Sequence, residues 1–191
     1  MSDDRWTRHR LDQGVLDAEQ HLEWDARWLA AEGQRAELAR IVEQEHLRSV
    51  ERFSLGLLRC GREGPRLACR LPMGAVALSF LDEPTQITPE RVVRRWTIEP
   101  SFLARRVLAG QGSVPTYGRL EIGVERRAEA RVHGWMGVTA FPSRFLTPLP
   151  RGARRLAFLW QPVGHLYALF HAQTSFSCLR GVARAMHSLG E

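Results

Sequence analysis

The chain has 191 residues, 44% of them hydrophobic, and its 27 basic residues, all arginine, outweigh 21 acids for a formal net charge of +6. That length suits one large domain or a domain with an extension, and the apolar share argues against a disordered chain. Lysine and asparagine are both missing and isoleucine occurs four times. This pattern marks a GC-rich coding background, so arginine number says little and only arginine position counts. The polar, acidic start Met1–Arg5 lacks a charged-then-apolar leader, and no apolar run reaches the 18 residues a membrane helix needs. A cytoplasmic protein is expected.

Charge divides the chain near residue 53. Residues 1–53 hold eight arginines and twelve acids, net −4, and residues 54–191 hold nineteen arginines and nine acids, net +10. The expected division is a helical segment over 1–53 and a sheet with a C-terminal helix over 54–191, together one compact domain. From Leu11 to Phe53 there is no proline and glycine only at 14 and 33. Leu22, Trp24, Trp28 and Leu29 recur at helical spacing, as do Leu38, Ile41, Val42, Leu47 and Val50. The spacing predicts helices over 13–31 and 34–53 that meet at Gly33, a pair able to serve a homodimer or a partner protein. Glu37 with Arg40 and Glu45 with Arg48 fit a solvated helix face.

After Phe53 the period becomes two. Leu67, Cys69 and Leu71 alternate with Arg66, Ala68 and Arg70. Residues 74–81 form an apolar run, and Leu120, Ile122 and Val124 alternate with Arg119, Glu121 and Glu125. Val132, Met136 and Val138 share a face opposite Arg131, His133 and Trp135. Turn residues at Gly61–Pro65, Asp82–Pro84, Gly110–Ser113 and Arg127–Glu129 punctuate these runs, which predicts six or seven antiparallel strands over 54–160. Three cysteines at scattered spacings indicate neither a disulfide framework nor a metal site. Cys60 and Cys69 flank one turn and could bridge across it, but thiols acting as small hydrophobes are expected.

The stretch Phe141–Arg155, with three prolines, reads as an irregular loop. Beyond Pro162, Leu166, Leu169, Phe170, Gln173, Phe176, Leu179, Val182, Ala183 and Met186 trace one stripe of a helix some 25 residues long. The fold class read from all this is α+β: an N-terminal helical pair, an antiparallel sheet of six or seven strands, and a long C-terminal helix packed on that sheet.

This order of elements resembles the helix-grip arrangement of START and Bet v 1-like proteins. Residues 91–98, 117–126, 130–141 and the helix 163–186 carry the likeness, through element order and without a diagnostic motif. In that superfamily a curved sheet wraps the last helix and the gap between them holds an apolar ligand. It opens on a strand ahead of its paired helices, a place only Arg5–Leu11 could fill here. The resemblance implies non-catalytic binding of a hydrophobic or amphipathic small molecule between sheet and helix. Trp96, Ile122, Met136, Val138, Leu166, Phe170 and Phe176 would line the gap, with Arg94 and His133 as polar groups. Arg94 would be either a buried anion-binder or a rim residue with its head in water.

Catalytic and cofactor signals are missing from the sequence. No Gly-x-Ser-x-Gly elbow is present, and His171 and Cys178 stand seven positions apart on the helix, too far for a hydrogen bond. His165 and His171 lack the spacing of a zinc helix, so no metal or cofactor is expected. The alternative function is an arginine-rich module for nucleic acid or an acidic protein. It would use Arg95, Arg105, Arg106, Arg126, Arg127, Arg151, Arg154 and Arg155 if these converge, though no nucleic-acid-binding motif accompanies them.

Overall fold

The structure, a computed structural model, describes residues 4–12, 15–99, 117–140 and 160–190. Its strands are β1 (Asp4–Asp12), β2 (Val15–Asp25), β3 (Arg59–Glu63), β4 (Arg66–Arg70), β5 (Val76–Asp82), β6 (Gln86–Ile87), β7 (Arg91–Glu99), β8 (Gly118–Ala128) and β9 (Arg131–Ala140). The helices are α1 (Glu32–Phe53), between β2 and β3, and α2 (Trp160–Gly190), which follows β9. All strands join one antiparallel sheet in the order β1-β2-β9-β8-β7-β5-β4-β3, with β6 beside β7. The α+β class and the seven strands after residue 54 follow the alternation read from the sequence.

The N-terminal part departs from it. The helix expected over 13–31 is instead β2 followed by extended chain, so the described residues hold a single helix ahead of β3 and no helical pair. Leu16, Ala18, Gln20, Leu22 and Trp24 are buried at every second position, a period of two that Ala18 and Gln20 conceal because neither reads as a core residue. Pairing with β1 on one side and β9 on the other satisfies the β2 backbone and overrides a composition of good helix formers. Trp28 belongs to no helical face. Its indole donates to the Pro89 carbonyl at 2.6 Å, and Arg35 holds the same stretch through the Leu29 carbonyl at 3.1 Å.

Helix α1 starts at Glu32, where Gln34 Oε1 accepts the Ala31 N–H at 3.3 Å while Ala31 has no side chain to answer it. It buries Leu38, Ala39, Val42 and Val50. At its end Gly56, at φ 76°, donates to the Glu51 carbonyl at 3.1 Å and closes the last turn. Helix α2 is one unbroken rod of 31 residues. It packs along α1 and across β2 and β9, while α1 covers β7 and β3. The helices approach closely at Gly181, where a β-carbon would collide with the Glu45 carboxylate.

Two further outcomes concern chemistry. Cys60 and Cys69, directly opposed in the β3–β4 register with Cα atoms 4.0 Å apart, form a disulfide in place of the expected thiols. The turn at Gly64 folds the hairpin so that the two side chains face each other, which spacing along the chain alone leaves undecided. Among the described residues no helix is long and apolar enough to cross a membrane.

Candidate functional site

Strand register lays two rows of side chains under the helices. One runs Trp96–Leu120–Val138–Ala18 and the next Arg94–Ile122–Met136–Gln20, across β7, β8, β9 and β2. Trp96, Ile122, Met136 and Val138 thus share the inner face, and none is more than 3% exposed. From the adjoining row, Gly134 meets the Leu179 side chain of α2, and His46 of α1 lies over Trp96 with ring centroids 5.8 Å apart.

Three expected lining residues are elsewhere. Phe170 is 42% exposed, its ring edge-on to Phe53 at 6.3 Å, and Phe176 lies beside β1, 5.9 Å beneath the Arg5 guanidinium. The stripe that α2 buries is His171, Thr174, Ser175, Cys178, Leu179, Val182, Ala183 and Met186. Its first half is polar, so a stripe traced through apolar residues drifts onto the outer surface there. His133 is buried on the opposite side of the sheet, stacked between Trp6 (5.4 Å) and Trp135 (5.6 Å). Its Nε2 lies 3.1 Å from His21 Nδ1, and its Nδ1 faces both Glu125 and Arg127 at 3.2 Å. A guanidinium only donates and a carboxylate only accepts, so the tautomer of His133 selects between them. The side chain of Leu166 lies outside the described residues.

Arg94 occupies the inner face with only 12% of its side chain exposed, which corrects the rim placement. It donates to Glu43 at 2.5 Å and to Asp82 at 3.2 Å, and stacks over Trp96 at 5.0 Å. Its charge is therefore matched by the protein's own carboxylates. The same holds for the arginine clusters in the described residues. Arg95 pairs with Glu121 at 2.5 Å, Arg127 with Glu125 at 3.1 Å and Arg126 with Glu90 at 4.0 Å. Arg105, Arg106, Arg151, Arg154 and Arg155 lie outside the described residues.

Polar groups that sequence reasoning passed over converge on the inner face. Gln20 is fully buried and neither the oxygen nor the nitrogen of its amide has a hydrogen-bond partner among the described residues, and both ring nitrogens of His46 are likewise buried without one. The indole N–H groups of Trp24 and Trp96 share that condition. Burial pushes His46 down to about 4. Burial, and then repulsion from His46, push His171 down to about 3. Both imidazoles are neutral at pH 7, each with one donor and one acceptor nitrogen. Gln20 between two apolar positions of a strand was the available signal, since a primary amide at a core position needs partners.

This arrangement can hydrogen-bond a polar group, and it sets the Ser175 hydroxyl 3.3 Å from His171 Nδ1. Burial, with the nearby Glu45 charge, pushes the Cys178 thiol well above its ordinary value. The Ser175 hydroxyl donates to the His171 carbonyl at 2.7 Å. Among the described residues no cluster of His, Cys, Asp or Glu is arranged to hold a metal ion. Two surface grooves lie away from α2, and a third runs between α2 and the edge strand β1.

No family model matches the chain, and no curated protein does either. Among solved structures it is similar to CalU16 from Micromonospora echinospora at 14% identity and a TM-score of 0.35, over 98% of this chain and 96% of that one. It is similar to truncated norcoclaurine synthase from Thalictrum flavum at 12% identity and a TM-score of 0.33, over 91% of this chain and 94% of the other. Human STARD10 is similar at 7% identity and a TM-score of 0.33, over 91% of this chain and 73% of its own.

Proposed function

We propose that this protein has a helix-grip fold and binds, without covalent chemistry, a hydrophobic or amphipathic small molecule between the sheet and α2. The observation that carries the reading is the Gln20 amide, wholly buried beside Met136 and without a hydrogen-bond partner among the described residues. A buried polar group without a partner costs about 1–3 kcal/mol, and native proteins keep few of them. A ligand with a donor and an acceptor supplies the missing bonds at Gln20 and His46, while Trp96, Ile122, Met136 and Val138 give apolar contact.

The test is native mass spectrometry on gently purified protein, together with Gln20→Leu. An adduct should travel with the original protein and be lost from the variant. Without its ligand, Gln20→Leu should be more stable by about 1–3 kcal/mol, because the unpaired amide is gone. Protein that never carries an adduct, with a variant no more stable than the original, would remove the basis for a ligand at this position.

A further inference from the structure

On the outer side of α2 lies a groove of about 480 Å³, bracketed by β1 and the end of α1. Arg5, Arg52, Arg180 and Arg184 line it together with Phe53 and Phe176, and among the described residues no carboxylate does. Several arginines elsewhere are matched by acids. On α1, Arg40 and Arg48 each sit three residues after a glutamate that binds them. On the sheet, Arg62 and Arg131 each bridge at least two acids. The four groove arginines make no ion pair with any described residue. Arg52 donates to the Ser177 hydroxyl at 3.1 Å, and Arg5 rests on the Phe176 ring. Glu45, against Gly181 on the neighbouring flank, is already taken by Arg48 at 2.6 Å.

The sequence of α2 sharpens the contrast. Its 31 residues contain no Asp or Glu, and Arg180 and Arg184 stand at i,i+4, where like charges destabilise a helix. Four guanidiniums with no counter-charge among the described residues suit an anion carrying two negative charges, for which the planar donor fork is well shaped. The groove volume is that of a small-molecule site. Phe53 and Phe176 offer an apolar wall for whatever the anion is attached to.

We infer that this groove binds a phosphate monoester with an apolar or aromatic body, held by Arg5, Arg52, Arg180 and Arg184. The groove adjoins the Gln20 position, since Thr7 lines it and stands opposite Gln20 in the β1–β2 register, but its arginines do not belong to that amide's row.

The test is calorimetric titration of the full chain at 50 and 150 mM NaCl with dodecyl phosphate below its micellar range, adenosine monophosphate, inorganic phosphate and dodecanol. At least one ester should bind saturably with 1:1 stoichiometry, at least tenfold more tightly than inorganic phosphate, and more weakly at the higher salt. The ester that binds tells an acyl body from an aromatic one. Arg180→Gln/Arg184→Gln should lower that affinity tenfold or more. Arg40→Gln/Arg48→Gln, which removes equal charge elsewhere, should leave it unchanged. Equal losses in both double variants would reduce the effect to net charge and overturn the site. So would saturable binding to anionic vesicles or RNA with none to any monomeric ester, or no binding of an ester up to 1 mM, on the order of the weakest useful affinity.

Discussion

Leu55 sits at φ 54° with 90% of its surface exposed, directly after α1. A left-handed backbone costs a branched residue roughly 1–2 kcal/mol, and this side chain gains almost no burial in return. Leu55→Gly is expected to raise stability by about 0.5–1 kcal/mol, read as a shift of the denaturation midpoint. Gly123 is the opposite case. The Trp135 ring crosses it, donating its indole N–H to Glu121 at 2.9 Å, so a β-carbon there would overlap the ring. Gly123→Ala should displace Trp135 and change its fluorescence. Burial of His46 and His171 sets a pH dependence whose sign is fixed. Their folded-state values lie below the ordinary 6.5, so the unfolded chain binds more protons between 6.5 and about 4. Stability is then full above pH 6.5 and falls as the pH drops toward 4, by on the order of 2–4 kcal/mol for the pair at pH 5. Urea denaturation at pH 7 and pH 5 measures this, and His46→Leu should reduce the slope.

At the scale of elements, the β3–β4 hairpin is closed by the Cys60–Cys69 bridge, nine residues apart in sequence. Unfolded protein should show one reactive thiol, Cys178, without reductant and three with it. Cys60→Ser/Cys69→Ser should lower stability by about 2–3 kcal/mol in chemical denaturation. The elements also differ in how plainly their sequences reveal them. In β8, Leu120, Ile122 and Val124 alternate with charged residues, and the strand is where that pattern puts it. In β2 the same alternation passes through Ala18 and Gln20, and a helical reading of Leu22, Trp24 and Trp28 competes with it. The extent of α2 is legible from its composition, but its rotation is not. His171, Thr174 and Ser175 face inward where Phe170 and Phe176 would be chosen on hydrophobicity.

For the whole molecule, the β1–β2 hairpin is an integral part of the sheet. Leu16, Leu22 and Trp24 are buried at 1% or less beneath α2, and β2 is bonded to β9 along its length. A chain beginning at Ala26 should therefore fail to unfold cooperatively, whereas loss of a peripheral lobe would leave the sheet intact. Loss of a sharp two-state transition in denaturant, followed by circular dichroism, is the expected result. Local period and composition by themselves determined the α+β class, the strands after residue 54 and the long terminal helix, because backbone geometry imposes those periods wherever an apolar face is buried. Only the tertiary structure decided that 15–25 is a strand, that Gln20 and His46 face the interior, and which arginines lack an acid. Those outcomes depend on partners tens of residues away, and long-range pairing leaves little trace in any short window of sequence.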